Sequence, residues 1–465
     1  MMMSLLGHIP PAAQAAYPVR HGNLVVPLID GEPAFRRICD AVDAAKRCVW
    51  VTVAFLDLDA EMPDGRGTFF DVLDHAARRG VDVRVVFWDE PKVEDMVVDS
   101  QIFAAVEASH EYLRARASGV RARWDHVADH CHHQKSWVID AGEPGETAFV
   151  GGINVDRASI VAPGHRSGAT YLDYAGIHDV YTEVRGPAST DVAHNFVQRW
   201  NEASRRGHPL GIYPSPETAQ DLSFPVRSAA PAGGTPVQIA RSIQSGLYND
   251  SAPAPGSAAY RILAGEFSIG EQYMAAIAAA RSTIYLENQI FLCPQLFVEL
   301  RCALERGVEV VAVAPARAMP EIVRVADDPR VRPVLDLLAA LGRYDGFTMA
   351  ALAAGRDGSP PADVYVHSKV AIVDDVWGTI GSANAIFRSW SGDTELNATF
   401  WDAELAAALR RELTSEHCDE DVGDLDALTA LRRFAGVARD NAGRRAGGQP
   451  MQGLVYAIDP ARWVA

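Results

Sequence analysis

The sequence predicts an α/β protein made of two related halves. At 465 residues the chain is longer than a domain with a single hydrophobic core usually is, which favours two domains or two fused repeats. Three landmarks also occur twice, in the same order along the chain. Hydrophobic residues make up 48% and charged residues 22% of the chain, which is typical of a globular protein with a large buried core.

The first two landmarks predict a helix followed by a buried strand in each half. Residues 45–55 (AKRCVWVTVAF) are echoed by residues 280–291 (ARSTIYLENQIF), and both are typical of a helix end that enters a buried strand. Residues 79–81 (RGV) are matched by residues 306–308 (RGV). Each triplet predicts a helix that is closed by glycine before the next strand begins.

The third landmark is a His-x-Lys-x4-Asp motif, found at residues 133–140 (HQKSWVID) and 367–374 (HSKVAIVD). A short motif that ends in asparagine follows each copy, GGIN at 151–154 and GSAN at 381–384. The apolar residues after each lysine predict a strand. The turn residues after that strand predict a return of the chain, which carries Asn154 and Asn384 back toward the motif.

These landmarks divide the chain into five segments. Residues 209–259 are rich in Pro, Ser, Ala and Gly without a sustained period, so we expect a connection that wraps the surface. The pattern also fades at both ends of the chain. The predicted segments are an N-terminal extension (1–33), a first repeat (34–208), the connection (209–259), a second repeat (260–418) and a C-terminal extension (419–465).

Charge and composition restrict the possible partners and location. The net charge is -17 and the pI is near 5.3, which disfavours nucleic acid as a partner, because binding a polyanion normally requires a basic surface. No apolar run reaches the length of a membrane span, and the first 20 residues do not resemble a secretory leader. The six cysteines are scattered like reduced thiols. We therefore expect a cytoplasmic or peripherally membrane-associated protein.

The duplicated motif is suited to splitting a phosphodiester. Residues two apart in a strand share a face, so the histidine and lysine of each motif are predicted to point into one pocket. One imidazole can attack phosphorus while the other protonates the leaving oxygen. The lysines and asparagines can hold the non-bridging oxygens as charge develops, so the chemistry requires no metal. The candidate catalytic residues are His133, Lys135, Asn154, His367, Lys369 and Asn384.

The use of lysine supports this interpretation. Only four of the 43 basic residues are lysines, at positions 46, 92, 135 and 369. Two of the four lie in the motifs, where a compact ammonium group suits a crowded phosphate pocket better than a guanidinium group.

The residues quoted above resemble the phospholipase D superfamily over most of residues 34 to 415. The match includes His132 before the first motif, residues 284–289 (IYLENQ), and Arg388-Ser389 after the second asparagine. The resemblance implies two tandem repeats, each a mixed β-sheet flanked by helices, packed into one pseudo-two-fold bilobal catalytic unit. It also implies hydrolysis or transphosphatidylation of glycerophospholipids without a cofactor, by a monomer that contacts a membrane surface or lipid aggregate transiently.

The resemblance further implies individual roles. His133 would become phosphohistidine and His367 would be the general acid. An acidic residue downstream of each motif would orient the imidazole, Glu395 in the second half and Asp179 in the first. Asp140 and Asp374 are expected to accept hydrogen bonds from turn or neighbouring backbone groups. Ser382 is a further supporting residue, whereas Gly152 at the matching position could donate only through its backbone.

Several alternatives compete with this interpretation. The histidines and the cysteine between positions 126 and 133 could bind zinc, although adjacent strand residues diverge and the second half has no such cluster. Among the tryptophans at 88, 124, 137, 377 and 390, only Trp390 is a candidate for lining a pocket. A cardiolipin-synthase-type transferase is the second functional hypothesis, although its relatives usually carry N-terminal spanning helices. A nuclease and an inactive scaffold are less favoured.

Overall fold

The computed structural model describes residues 7–89, 102–127, 130–215, 220–355 and 361–464. Its strands are β1 (Arg20–Ile29), β2 (Cys48–Val53), β3 (Asp82–Asp89), β4 (Arg121–His126), β5 (Ser136–Ile139), β6 (Thr147–Gly151), β7 (Ile177–His178), β8 (Val180–Arg185), β9 (Ile212–Tyr213), β10 (Thr235–Ile243), β11 (Glu266–Phe267), β12 (Thr283–Asn288), β13 (Phe291–Leu292), β14 (Glu309–Val313), β15 (Phe347–Ala354), β16 (Ala362–Val366), β17 (Lys369–Val373), β18 (Trp377–Gly381), β19 (Ala385–Ile386), β20 (Glu395–Trp401) and β21 (Val455–Ala457).

The helices over the same ranges are α1 (Gly31–Ala44), α2 (Phe69–Arg78), α3 (Glu107–Ala115), α4 (Pro187–Ser204), α5 (Ser268–Ala279), α6 (Pro294–Glu305), α7 (Pro320–Arg324), α8 (Arg332–Leu341), α9 (Phe387–Ser391), α10 (Ala403–Cys418) and α11 (Ala427–Ala446). The first two landmarks are confirmed. The apolar runs form the buried strands β2 and β12. Gly80 and Gly307, which follow α2 and α6, both have φ +88°, a left-handed conformation that favours glycine.

The two halves contain mixed sheets with the same strand order and directions. In the first half, neighbouring strands run β1-β8-β6-β5-β2-β3-β4, and only the β2–β3 and β3–β4 pairs are parallel. In the second half they run β10-β20-β18-β17-β12-β14-β15, with parallel pairs only at β12–β14 and β14–β15. The predicted pair of α/β repeats is therefore confirmed.

The strand pairing places the start of each repeat earlier than the sequence suggests. β10 occupies the same position beside β20 as β1 does beside β8, and β1 and β10 also pair with each other. All nine residues of β10 are buried, so the expectation that segment 209–259 lies over the surface is wrong for this strand. Its sequence, TPVQIARSI, mixes apolar residues with Thr, Gln, Arg and Ser, so it contains no clear apolar run. We propose that the repeats begin at β1 and β10 rather than at residues 34 and 260.

A shared hydrophobic core joins the halves. It contains Val25, Val138 and Phe196 of the first half together with Ile239 and Val370 of the second. Helix α4 is buried from Ala188 to Ala203 and contacts strands of both sheets. Two further cores lie on the outer faces of the two sheets. The halves therefore pack as one body, because a close-packed shared core leaves them little freedom to move apart.

Both chain ends pack against the second half. The backbone amide of Ala12 donates to Gln238 and Gln272, and the indole of Trp401 donates to the Ile9 carbonyl. At the other end, β21 pairs with β15. The six cysteines are free thiols. None of the helices in the described ranges combines the length and the apolar character needed to cross a membrane.

Candidate active site

Each motif histidine lies just before a strand and is held by the opposite half. β5 begins at Ser136 and β17 at Lys369, so both histidines precede the strands in which the sequence places them. The backbone amide of His133 donates to the Thr394 carbonyl (3.0 Å), and that of His367 donates to the His178 carbonyl (2.8 Å). Two short parallel pairings, His132 with Thr394 and β16 with β7, reinforce these contacts. The backbone thus aligns each motif against the other repeat.

The acidic partners of the histidines are also exchanged between the halves. Nδ1 of His133 lies 3.1 Å from both carboxylate oxygens of Glu395, and Nδ1 of His367 lies 2.5 Å from Oδ2 of Asp179. The expectation that Glu395 serves the second motif and Asp179 the first is therefore wrong. The reason is geometric: Glu395 follows Thr394, and Asp179 follows His178, the residues that pair with the opposite motif. The order of residues within one repeat does not show how the two repeats pack together, so it cannot show which carboxylate meets which histidine.

The two imidazoles face each other across one small space. Their ring centroids are 6.5 Å apart, and the two residues are only 8% and 6% exposed. A carboxylate that accepts a hydrogen bond from Nδ1 leaves the lone pair of a neutral imidazole on Nε2. The arrangement therefore supplies two Nε2 atoms with fixed tautomers, which are suited to nucleophilic attack and to proton transfer.

Burial and nearby cations favour the neutral form of both histidines. Burial lowers the pKa of His133, where Glu395 opposes the shift and Lys135 adds to it. Burial lowers the pKa of His367 to about 3, where Lys369 adds to the shift and Asp179 opposes it. Both rings are therefore neutral near pH 7 before any anion enters the site.

The two lysines lie beneath the histidines. Nζ of Lys135 donates to the His133 carbonyl (2.7 Å), while Nζ of Lys369 donates to the His367 carbonyl and to Oε1 of Gln289 (3.2 Å). Burial lowers the pKa of Lys135 to about 8 and that of Lys369 to about 7. The negative charge of Glu395 opposes the shift at Lys135, and that of Asp179 opposes the shift at Lys369. An ammonium group has three donors, so each lysine can still donate to an anion.

The asparagines return to the motifs as the sequence predicts. Asn154 lies just beyond β6, whose last residue Gly151 donates to the Lys135 carbonyl (3.4 Å). Asn384 lies just beyond β18, between two residues whose backbones are hydrogen-bonded by Asn288. Both asparagines are at most 7% exposed, and their side-chain oxygens have no hydrogen-bond partner. Buried, unpaired polar atoms of this kind are frequent where a ligand binds.

Ser382 and Gly152 differ because their acidic neighbours differ in length. Oγ of Ser382 donates to Oε2 of Glu395 (2.5 Å), and the Ser382 carbonyl lies 3.0 Å from Nδ1 of His133. A Cβ atom at Gly152 would lie 2.4 Å from Oδ1 of Asp179. The shorter aspartate therefore occupies the space that a side chain at position 152 would need. The backbone amide of Gly152 donates to the Val180 carbonyl (3.1 Å).

The aspartates that end the motifs have a structural role, as expected. Asp140 has φ +54° and accepts from the backbone amides of Lys46, Arg47 and Cys48. Asp374 also has φ +54° and accepts from the amides of residues 281–283. Each one joins the turn after the motif strand to the start of the neighbouring strand. Neither contacts a motif histidine in the described hydrogen bonds.

Gln289 and Tyr365 complete the site and were missed by sequence reasoning. Nε2 of Gln289 donates to the Tyr365 hydroxyl (3.0 Å), and the Tyr365 ring stacks beside His367 at 6.4 Å. The signal for Gln289 was available, because it follows directly after the buried strand β12 and is the third of three consecutive polar residues, Glu287 to Gln289. Tyr365 lies two residues before His367, on the same face of the extended chain.

Two competing interpretations fail on geometry. Three groups of side chains among the described residues could hold a metal ion, and none contains a residue from 130 to 133. His126 belongs to one of these three groups, in which it lies beside Asp89 (2.5 Å) and His208 rather than beside the other residues of the predicted cluster. The proposed pocket role of Trp390 is also wrong, because its ring is 7% exposed and stacks on Tyr273 in the outer core of the second half.

Comparisons with known proteins identify a family and a similar fold. The family model "Cardiolipin synthase, PLD-like domain" matches residues 38–164 and 273–416, and the model "Phospholipase D" matches residues 170–301. A phosphatidylserine synthase structure from Haemophilus influenzae has a TM-score of 0.55 at 13% identity, and the alignment covers 92% of this chain and 96% of that one. This likeness supports the fold.

Two curated relatives are similar over most of the chain. Phospholipase D A of Dictyostelium discoideum is 25% identical over 85% of this chain and 34% of its own length. Cardiolipin synthase 1 of Staphylococcus epidermidis (strain ATCC 12228 / FDA PCI 1200) is 23% identical over 82% of this chain and 65% of its own length. The chain thus spans about a third of the first relative and just under two thirds of the second. Since the first family model alone matches more than half of its residues, the chain belongs to the phospholipase D superfamily.

Proposed function

We propose that the chain is a phospholipase D-type phosphodiesterase that acts on glycerophospholipids through a covalent phosphohistidine. The observation that carries the proposal is the pair of motif imidazoles, 6.5 Å between centroids, each held at Nδ1 by a carboxylate of the opposite repeat. One phosphoryl group fits between two such rings. The family match supports the reaction class, and the names of the relatives support a phospholipid substrate.

The reaction would proceed in two displacements. Nε2 of His133 attacks phosphorus and forms a P–N bond while the P–O bond to the head group breaks. The protonated His367 donates its proton to the departing oxygen. In the second step His367 accepts a proton from water or from an alcohol. That oxygen attacks phosphorus and the P–N bond breaks, which releases phosphatidate or a new phosphatidyl ester and restores both rings.

Binding of the substrate would itself protonate the acid. In the empty site His367 is neutral, because burial and the charge of Lys369 oppose its protonation. A phosphodiester anion between the rings offsets the positive charge of both lysines, so it raises the pKa of His367. The enzyme would therefore take up a proton with its substrate. Glu395 would keep the ring of His133 oriented as its charge develops.

Four donors would stabilise the charge on the phosphoryl oxygens. Lys135 and Lys369 donate to the carbonyls of the two motif histidines, and Asn154 and Asn384 follow the strands that pair with the motif strands. All four residues are nearly inaccessible to water. A well-placed donor in such a site is worth about 2.7 to 4 kcal/mol in the transition state. The chemistry assigned to these residues requires no cofactor.

A cardiolipin-synthase-type transferase is the second candidate. It is favoured by the description of the longer family match and by the staphylococcal relatives. The first half-reaction would be the same, and the acceptor would be the glycerol head group of phosphatidylglycerol. A nuclease is disfavoured by the net charge of -17, which would repel a polyanion.

One experiment tests both candidates. Purified protein is incubated with mixed phospholipid vesicles, with and without ethanol, and the products are identified by mass spectrometry. Phosphatidate together with phosphatidylethanol supports the phospholipase D assignment. Cardiolipin and glycerol from phosphatidylglycerol, with little phosphatidate, would support the transferase. Failure to act on any phospholipid, with cleavage of other phosphodiesters, would contradict both.

A further inference from the structure

A tight turn beside the active site exposes a leucine in an unfavourable conformation. Tyr171 and Tyr174 exchange backbone hydrogen bonds (3.1 and 2.8 Å), which leaves Leu172 and Asp173 at the tip. Leu172 has φ +50° and is 58% exposed. Glycine or asparagine normally occupies such a position, and a large apolar side chain gains nothing there from the protein itself. Leucine at this tip therefore carries a conformational cost that no contact with the protein explains.

This turn is joined to the catalytic centre through contacts between aromatic rings. The rings of Tyr171 and Tyr174 each lie 5.0 Å from the ring of Tyr365. Tyr365 in turn lies 6.4 Å from His367. The leucine at the tip is therefore one residue from an aromatic cluster that borders the reacting ring.

The neighbouring segment exposes two more apolar side chains. Arg317 lies 3.9 Å from Asp173 at the tip of the turn, and Met319 accepts a hydrogen bond from Gln289 of the site (3.7 Å). Val323 and Val325, which follow within the same segment, are 43% and 42% exposed.

The segment that follows Asn384 exposes a fourth apolar side chain. Phe387 lies three residues after Asn384 and is 59% exposed. The strand before it, β19, pairs with β13, which begins two residues after Gln289. Leu172, Val323, Val325 and Phe387 thus lie in three segments that are each linked to a residue of the site, namely Tyr365, Gln289 and Asn384. We call these four residues the rim. Nine large apolar side chains are exposed among the described residues, and four of them belong to the rim.

We propose that the rim inserts into the lipid surface that carries the substrate. This inference rests on the proposed function and identifies the surface through which that function meets its partner. The catalytic histidines are almost inaccessible, so a lipid phosphate must be drawn inward, and the acyl region that follows it would then cover the rim. The net charge of -17 gives no general attraction to an anionic membrane, so apolar contact must supply the binding. Arg317 would lie level with the lipid phosphates.

The test compares rim variants with a matched variant elsewhere. Leu172→Asn removes the apolar side chain and introduces asparagine, which tolerates the left-handed conformation. Phe387→Ser removes the large apolar side chain on another rim segment. Val226→Asn is the control, since Val226 is 87% exposed and lies in the segment between β9 and β10, away from the motifs. Binding to sucrose-loaded phosphatidylcholine vesicles is measured by sedimentation. This binding needs no turnover, so a wrong catalytic assignment would not affect it.

We expect the Leu172→Asn/Phe387→Ser double variant to bind vesicles at least tenfold more weakly than wild type, and Val226→Asn to bind like wild type. The ratio of turnover on vesicles to turnover on a monomeric short-chain lipid should also fall at least tenfold in the double variant. Should that variant be unstable, Val325→Ser provides the same comparison. Wild type that does not sediment with vesicles, or rim variants that bind normally, would overturn the proposal. A wild-type dimer that the rim variants dissociate would assign the rim to a second copy of the chain.

Discussion

At the scale of single residues, chemically identical motif histidines acquire different surroundings. Nδ1 of His133 faces Glu395 and the Ser382 carbonyl, whereas Nδ1 of His367 forms one short contact, 2.5 Å, with Asp179. The pKa of His367 is lowered to about 3, chiefly by burial. The two rings therefore have different environments, although both come from the same three-residue pattern.

Replacing either histidine should abolish a chemical step. We expect His133→Ala and His367→Ala each to lower kcat on a phospholipid by about a thousandfold or more, because each removes nucleophilic or acid-base catalysis that no neighbour replaces. The measurement is steady-state turnover. Thermal unfolding and far-UV circular dichroism serve as the folding control. A folded variant that keeps near-native turnover would rule out the two-histidine mechanism.

At the scale of elements, the halves exchange the groups that orient their histidines. The residues before His367 pair with β7, which leads into Asp179, and His132 pairs with Thr394, which leads into Glu395. These contacts are only one or two residues long. Long-range contacts of this size leave no periodic signal in the sequence, whereas the apolar runs of β2 and β12 do.

The crossed pairing predicts which variant an activated substrate rescues. Asp179→Asn and Glu395→Gln should each lower kcat/KM on a natural phospholipid by about a hundredfold or more, because each removes the charge that orients an imidazole. A p-nitrophenyl phosphodiester needs no acid to release its leaving group. Its kcat/KM should therefore recover in Asp179→Asn, which affects His367, and stay low in Glu395→Gln. The opposite pattern would indicate that each acidic residue orients the histidine of its own half, Asp179 with His133 and Glu395 with His367.

Helix α4 contains a buried histidine that should make stability depend on pH. Burial lowers the pKa of His194 to about 4, while Nε2 donates to the Ala252 carbonyl (2.8 Å). His194 binds a proton below about pH 6.5 in the unfolded chain, but only below about pH 4 in the folded chain. The unfolding free energy therefore decreases as pH falls from about 6.5 to about 4. Between pH 7 and pH 5 the wild type should lose about 2 kcal/mol more unfolding free energy than His194→Gln.

Urea denaturation of both proteins at the two pH values provides this comparison. The hydrogen bonds lost in the variant change its unfolding free energy by the same amount at both pH values. Only the titration of His194 makes the difference between the two proteins depend on pH. Parallel losses in the two proteins would show that His194 is protonated in the folded state.

At the scale of the whole molecule, the shared core and the β1–β10 pair hold the two sheets as one body around the site. The duplication, the meeting of two motif histidines in one site and the structural role of Asp140 could be predicted, because each copy of the pattern supports the other. The partners of the histidines could not, because they depend on how the repeats dock. β10 was missed because its apolar residues lie within a segment dominated by Pro, Ser and Gly.

The proposed activity should not need a metal ion. We expect turnover in excess EDTA to remain within about twofold of that in buffer, because Lys135, Lys369 and the two asparagines provide the charge stabilisation that a metal supplies elsewhere. The protein is assayed before and after chelation, and its metal content is measured in parallel. Complete loss of activity in EDTA, restored by zinc, would contradict this assignment.

The measurement that tests the central claim most directly is the capture of the covalent intermediate. Attack by an imidazole leaves a phosphoramidate, which is labile in acid and stable in base, so rapid quenching in base should preserve it. With an activated phospholipid, His367→Ala should accumulate the adduct, because a good leaving group needs no acid while breakdown still needs a base. The account predicts a phosphatidyl group on His133. A phosphatidyl group on His367 would reverse the two roles, and no adduct on either histidine would contradict the covalent mechanism.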